Sequence, residues 1–162
     1  MQFDLRSLSE YQHKLDSRIC EQHNISSKDT INERILAFMV ELGELANETR
    51  CFKYWSYKDA SENVVILEEY VDGIHFLISL CNEIGLDAIF DVSNNENNLI
   101  KQFIDVFAAA SNLKMSFEKK TLTLLFEKYL ILGNLLDFSQ DKIISGYLRK
   151  NEINHQRQET NY

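Results

Sequence analysis

The chain has 162 residues, a net charge of −8 and 44% hydrophobic residues, with five glycines and no proline. That length fits one domain, residues 1–162, with a core of its own, and the acidic balance argues against a surface built to neutralise the phosphates of a nucleic acid polymer. The shortage of the residues that punctuate strands and tight turns favours an all-α fold.

The first residues, Met1 to Glu10, lack a basic region followed by an apolar one, and no stretch approaches 18 uninterrupted apolar residues. Neither secretion nor contact with a membrane is expected. Cys20, Cys51 and Cys81 are odd in number and form no CxxC pair. Reduced thiols and a cytoplasmic location are therefore expected.

Taken in chain order, the first amphipathic helix is predicted from about Phe3 to His23, where Leu5, Leu8, Tyr11, Leu15 and Ile19 recur every three or four positions. A second is expected after Asp29 or Thr30, either of which can cap it, running to about Trp55. The polar turn Ser56 to Ser61 leads into a third from about Glu62 to Glu83, which Gly85 is placed to stop. A polar loop, Ser93 to Asn98, precedes a helix over about Leu99 to Leu113, and two more are expected over about Phe117 to Leu136 and Gln140 to Arg157. No internal repeat, low-complexity segment or interdomain linker interrupts this pattern. The simplest arrangement is an antiparallel bundle with extra helices at its C-terminal end.

Glu41 and Glu44 on the second helix, and Glu69 and Asp72 on the third, are paired at three-residue spacings that put each pair on one helical face. At about 100° per residue the Glu41 stripe, which Glu48 extends, borders the apolar face of its helix instead of opposing it. The third helix is apolar around nearly its whole circumference, and Glu69 and Asp72 interrupt it. A carboxylate withdrawn from water needs a metal, a cationic partner or a raised pKa. Four converging oxygen donors of this kind suit Mg²⁺ or Mn²⁺. A single such pair is most often a solvated surface feature; two pairs beside apolar surface favour a cation site. Gly43 and Gly73, beside the two pairs, are read as small residues that let the helices approach closely enough to share ions.

The ordered segments ELGE (Glu41 to Glu44) and EYVD (Glu69 to Asp72) resemble the ExxE and ExxD motifs of the MazG-like all-α nucleoside triphosphate pyrophosphohydrolases. The flanks are most similar to the dimeric all-α dUTPases: FKYWS (Phe52 to Ser56) after the first pair, VDGIHF (Val71 to Phe76) around the second, and YLRKNEINHQRQETNY (Tyr147 to Tyr162) matching YxxKNxxNxxRQxxGY. The N-terminal YQHKLD (Tyr11 to Asp16) resembles the segment that contacts uracil in that family. Two positions depart from its pattern: Asp16 stands where the family has Asn, and an ionised Asp can only accept, while Asn161 stands where it has Gly, a mild change because Asn tolerates a left-handed backbone. The resemblance covers the first 85 and the last 16 residues well, and the middle only as generic helices.

The resemblance implies an antiparallel four-helix-bundle core with additional C-terminal helices in a homodimer. It implies hydrolysis of dUTP, with dUDP as a further candidate substrate, to dUMP and pyrophosphate, in the service of nucleotide-pool sanitation and dTTP precursor supply in a bacterial or phage-infected cytoplasm. Glu41, Glu44, Glu69 and Asp72 would hold two or more Mg²⁺ ions, with Mn²⁺ able to substitute, and Glu41 would orient or deprotonate the attacking water. Gln12, Asp16, Trp55, His75 and Asn82 would form the base pocket, and Lys53, Lys150, Asn154 and Arg157 would contact the phosphates, the last three often completing a partner subunit's site.

Each of these residues has a plainer reading from the sequence alone. His75 reads as a core histidine, Trp55 as an apolar anchor at a helix end, Asn82 as a polar helix terminus, Glu48 as a surface carboxylate or a residue behind the metal ligands, and the C-terminal block as a solvated helix. The rival functions are pyrophosphohydrolysis of another nucleotide and a non-catalytic helical dimer whose acids bind a structural ion or a protein. A regulatory protein is a further candidate partner.

Overall fold

In the computed structural model, which describes residues 1–93 and 97–160, six helices carry the chain and the only strands among the described residues form one short pair. They are β1 (Gln2–Asp4), α1 (Arg6–His23), α2 (Ile31–Thr49), α3 (Asn63–Ile84), β2 (Ile89–Asp91), α4 (Leu99–Leu113), α5 (Lys119–Leu135) and α6 (Gln140–Glu159), with a 3-10 turn at Ser27–Thr30 before α2. The fold is all-α, as the composition leads one to expect. The predicted loop at Ser93 to Asn98 lies partly, and Asn161 and Tyr162 of the C-terminal motif lie wholly, outside the described residues.

The most apolar helix, α3, occupies the centre and packs against α1, α2, α5 and α6. Tyr70, Val71, Ile74, Leu77, Ile78, Leu80 and Cys81 are all buried, as an all-round hydrophobic helix requires. The pair α4 and α5 reaches the core through α2 and α3, and α6 returns to lie against α1 and α3. Gly85 ends α3 in the left-handed conformation (φ 62°) that the sequence predicts.

Two boundaries differ most from the sequence reading. Helix α1 begins at Arg6, not Phe3, because the first residues pair antiparallel with Ile89–Asp91, Phe3 opposite Phe90. Both phenylalanines are buried, and Phe90 stacks on Phe126 at 4.3 Å. Strands of three residues show too little alternation to be read from sequence. Helix α2 ends at Thr49, short of Trp55, because Arg50 adopts φ 55°. No glycine marks this stop. Instead the Arg50 guanidinium holds the turn, donating to the Lys58 carbonyl at 3.0 Å and to Ser56 Oγ at 2.6 Å.

The two glycines beside the acidic pairs do not have the role the sequence reading assigns them. A Cβ at Gly43 would meet nothing within 4 Å. At Gly73 it would overlap the Tyr129 hydroxyl of α5, and at Gly133 of α5 it would overlap the Tyr70 hydroxyl. The close approach is therefore between α3 and α5. There the two tyrosine rings stack at 4.5 Å, with Tyr129 donating to the Tyr70 carbonyl at 2.8 Å and Tyr70 to the Tyr129 carbonyl at 3.1 Å.

Candidate active site

Packing of α2 on α3 brings one carboxylate oxygen each of Glu41, Glu69 and Asp72 to within 4.8 Å of one another. All three are half-buried, whereas Glu44 is exposed and stands outside the triad, near enough for its charge to act on Glu41 and Glu69. Burial, followed by the charges of Asp72, Glu44 and Glu69, pushes the Glu41 carboxyl up to about 7. Burial and then Asp72 and Glu44 likewise raise Glu69. Asp72 is raised by burial even though Lys150 Nζ donates to its Oδ2 at 2.7 Å. Lys150 on Asp72, with Arg157 acting on it at longer range, against three carboxylates and the nearby Glu44 leaves the cluster short of positive charge. Oxygen donors alone, partly dehydrated and mutually repelling, fit a hard divalent cation such as Mg²⁺ or Mn²⁺.

Glu48 stands at the margin of this cluster, near enough for its charge to act on Glu69. Its side chain accepts from Ser61 Oγ and its carbonyl accepts from Ser61 N at 3.0 Å, fastening the loop before α3 onto α2.

A cavity of about 360 Å³ opens beside the acids, bounded by α1, α2, α3 and α6. It follows one face of α3 from Asp72 past His75 and Phe76 to Ser79, about 10 Å of helix. Glu41, Asp72 and Lys150 line one end, and Asp16, Arg34 and Ser79 line the other.

Between them lies a buried chain of hydrogen bonds. Tyr147 Oη donates to Gln12 Oε1 at 2.6 Å, and Gln12 Nε2 donates to Asp16 Oδ1 at 2.7 Å. His75 Nδ1 lies 2.9 Å from the same Gln12 oxygen, so Nδ1 must be the protonated nitrogen and the donor. The His75 ring stacks on Tyr147 at 3.9 Å, and burial pulls its pKa down to about 3. It is neutral at physiological pH. Asp16 Oδ2 accepts from Ser79 Oγ at 2.6 Å, and burial raises the Asp16 carboxyl despite these two bonds.

Of the residues the sequence proposes, Gln12, Asp16, His75, Lys150, Asn154 and Arg157 join Glu41 and Asp72 around this single cavity. Because α6 packs on α1 and α3 of the same chain, Lys150, Asn154 and Arg157 line this cavity within the chain, with Lys150 on Asp72. Three residues fall elsewhere. Lys53 donates to the Asn47 side chain, and Trp55, 62% exposed, stands edge-on to Phe52 and Tyr54 on the loop after α2. Asn82 donates to the Ser9 carbonyl at 2.9 Å, outside the cavity. The early stop of α2 is what carries Lys53 and Trp55 away.

Sequence reasoning passed over Arg34 and Ser79. Both were accessible to it, since Arg34 interrupts the buried stripe of Ile31, Ile35 and Phe38, and Ser79 lies two turns beyond Asp72 on the same face.

The chain matches the family described as dUTPase over residues 4–162, nearly its full length. It belongs to the dUTPase family. No curated protein matches it. The family is the all-α dimeric one, and its members are hydrolases acting on dUTP. The dUTPase match thus spans both the acid cluster on α2 and α3 and the α6 residues that reach it. No helix among the described residues is long and apolar enough to cross a membrane.

Proposed function

We propose that the chain is a Mg²⁺-dependent dUTP diphosphatase, converting dUTP and water to dUMP and pyrophosphate. The observation that carries this reading is the meeting of Glu41, Glu69 and Asp72 at the end of a nucleotide-sized cavity whose wall also holds Lys150, Asn154 and Arg157. A divalent ion held by those carboxylates, joined by Glu44 and with Mn²⁺ able to replace Mg²⁺, supplies Lewis acidity and charge neutralisation. Lys150 and Arg157 offset the negative charge of the phosphate chain and of the departing pyrophosphate. Glu41, at the edge of the acid cluster, orients the attacking water and takes its proton as a P–O bond of the α–β bridge breaks. Neutral His75 and Gln12 hold the base end in one hydrogen-bonded arrangement.

Pyrophosphate release from a panel of deoxynucleoside triphosphates tests the reading. Turnover of dUTP with discrimination against purines is expected, and equal turnover of every triphosphate removes the assigned base pocket.

Glu41 also makes cation binding pH-dependent. Its proton must leave before the oxygen can coordinate, so affinity falls below its pKa and levels off above it. Calorimetric titration with Mn²⁺ is expected to show affinity rising about tenfold from pH 6 to pH 8 with proton release, from one group titrating near 7. An affinity that is flat over this range, or unchanged dependence in Glu41→Gln, takes Glu41 out of the ligand set.

A further inference from the structure

The Lys150 ammonium engages one of the carboxylates assigned to the divalent ion. Its Nζ donates to Asp72 Oδ2 at 2.7 Å, and both side chains are largely withdrawn from water, 20% and 16% exposed. A charge-assisted bond of this length is among the stronger ones a side chain makes. The charge reaches further, acting favourably on Glu41 and Glu69 as well as on Asp72. Lys150 thus offsets the mutual repulsion of all three acids, which is the electrostatic work a metal ion does at such a site.

Two cations on one carboxylate compete. A divalent ion coordinates an oxygen at about 2.0–2.1 Å, so whichever Asp72 oxygen it takes, an ammonium 2.7 Å from Oδ2 is its near neighbour in a poorly screened place. The lysine can yield where the acids cannot, since its four-carbon stem is flexible. It also has somewhere to go. Lys150 lines both the main cavity and a second pocket of about 200 Å³ between α3 and α6, where Glu68 offers another carboxylate beside Val71, Arg149 and Ile153.

We propose that Lys150 is a resident counter-ion that the metal displaces: it stands on Asp72 in the metal-free chain, and loading of the divalent ion releases its ammonium towards the phosphate chain. Metal and nucleotide binding are thereby coupled, because the lysine that meets the phosphates is held back until the ion arrives. The same side chain that aids nucleotide binding weakens the grip on the metal. The inference rests on the reading that Glu41, Glu69 and Asp72 hold the ion.

The test is calorimetric titration of Mn²⁺ into the nucleotide-free full chain at pH 8, for the native protein, Lys150→Met and Lys150→Arg. Removing the ammonium is expected to tighten Mn²⁺ binding by about tenfold, the scale of one hydrogen bond between charged groups. Lys150→Arg keeps a cation against Asp72 and should bind no more tightly than the native chain. Affinity that is unchanged or weaker in Lys150→Met overturns the inference and leaves the metal assignment standing, whereas a native chain that binds no Mn²⁺ overturns both. A second measurement follows the lysine itself. Acylation of Lys150 by an amine-reactive ester, read by peptide mass spectrometry against the exposed Lys120, is expected to be faster in the native chain saturated with Mg²⁺ than in the metal-free chain. Equal or slower acylation shows an ammonium that stays on Asp72 and overturns displacement. Should Lys150→Met not fold, the acylation rates of the native chain decide.

Discussion

Replacing Glu69 by Gln is expected to lower kcat/KM for dUTP by at least about 10³-fold, the scale of losing a group that stabilises charge in the transition state. The substitution keeps the shape of the side chain and removes one anionic oxygen from the triad that lies within 4.8 Å. A second readout separates a functional from a structural role. Burial and the charges of Asp72 and Glu44 make the ionised form of Glu69 costly in the folded protein, so the neutral amide relieves repulsion when no cation is bound. The melting temperature of the metal-free variant at pH 8 is therefore expected to equal or exceed that of the native chain, while its Mn²⁺ affinity drops. A variant that keeps its turnover removes Glu69 from the site, and one that melts well below the native chain shows that the carboxylate is structural.

The largest stability loss is expected at Gly73→Ala. The added methyl would overlap the Tyr129 hydroxyl, which is buried between α3 and α5 and donates to the Tyr70 carbonyl. Overpacking costs about 1–3 kcal/mol, and displacing a buried hydrogen bond adds about 1–3 kcal/mol. At about 2–4 °C per kcal/mol for a domain of this size, thermal unfolding monitored by circular dichroism should show a melting temperature lower by about 10 °C. Adding Tyr129→Phe removes the atom in hardest contact and should recover part of the loss. Gly43→Ala has open space around its Cβ and, by helix propensity, should be neutral or stabilising by up to about 1 kcal/mol. Equal effects at the two glycines would contradict the packing described.

Much of the fold was legible because helical periodicity is local. Leu8 and Leu15 repeat along α1, and α3 is apolar on all sides, so the helices and the central place of α3 follow from side-chain spacing. The end of α2 was not legible. Arg50 takes a left-handed conformation that an arginine rarely adopts, and bonds to Ser56 and Lys58 further along the chain hold it there. Likewise β1 and β2 exist only through each other, across the intervening chain of residues 5–88 that no local pattern spans.

The sequence by itself determined the helical class, the two acidic pairs and the fact that Glu69 and Asp72 interrupt a buried helix, because each depends on spacing within one element. Only the tertiary structure decided which groups meet. It drew Glu41 into the triad and left Glu44 at its margin, and it brought Lys150 of the same chain onto Asp72. It left Lys53, Trp55 and Asn82 outside the cavity and placed Asp16 in its wall, accepting from Gln12 and Ser79. These outcomes depend on how α1, α2 and α6 pack against α3, which sets the distances between groups far apart in sequence and the solvent around them. Spacing along a single helix carries no information about either.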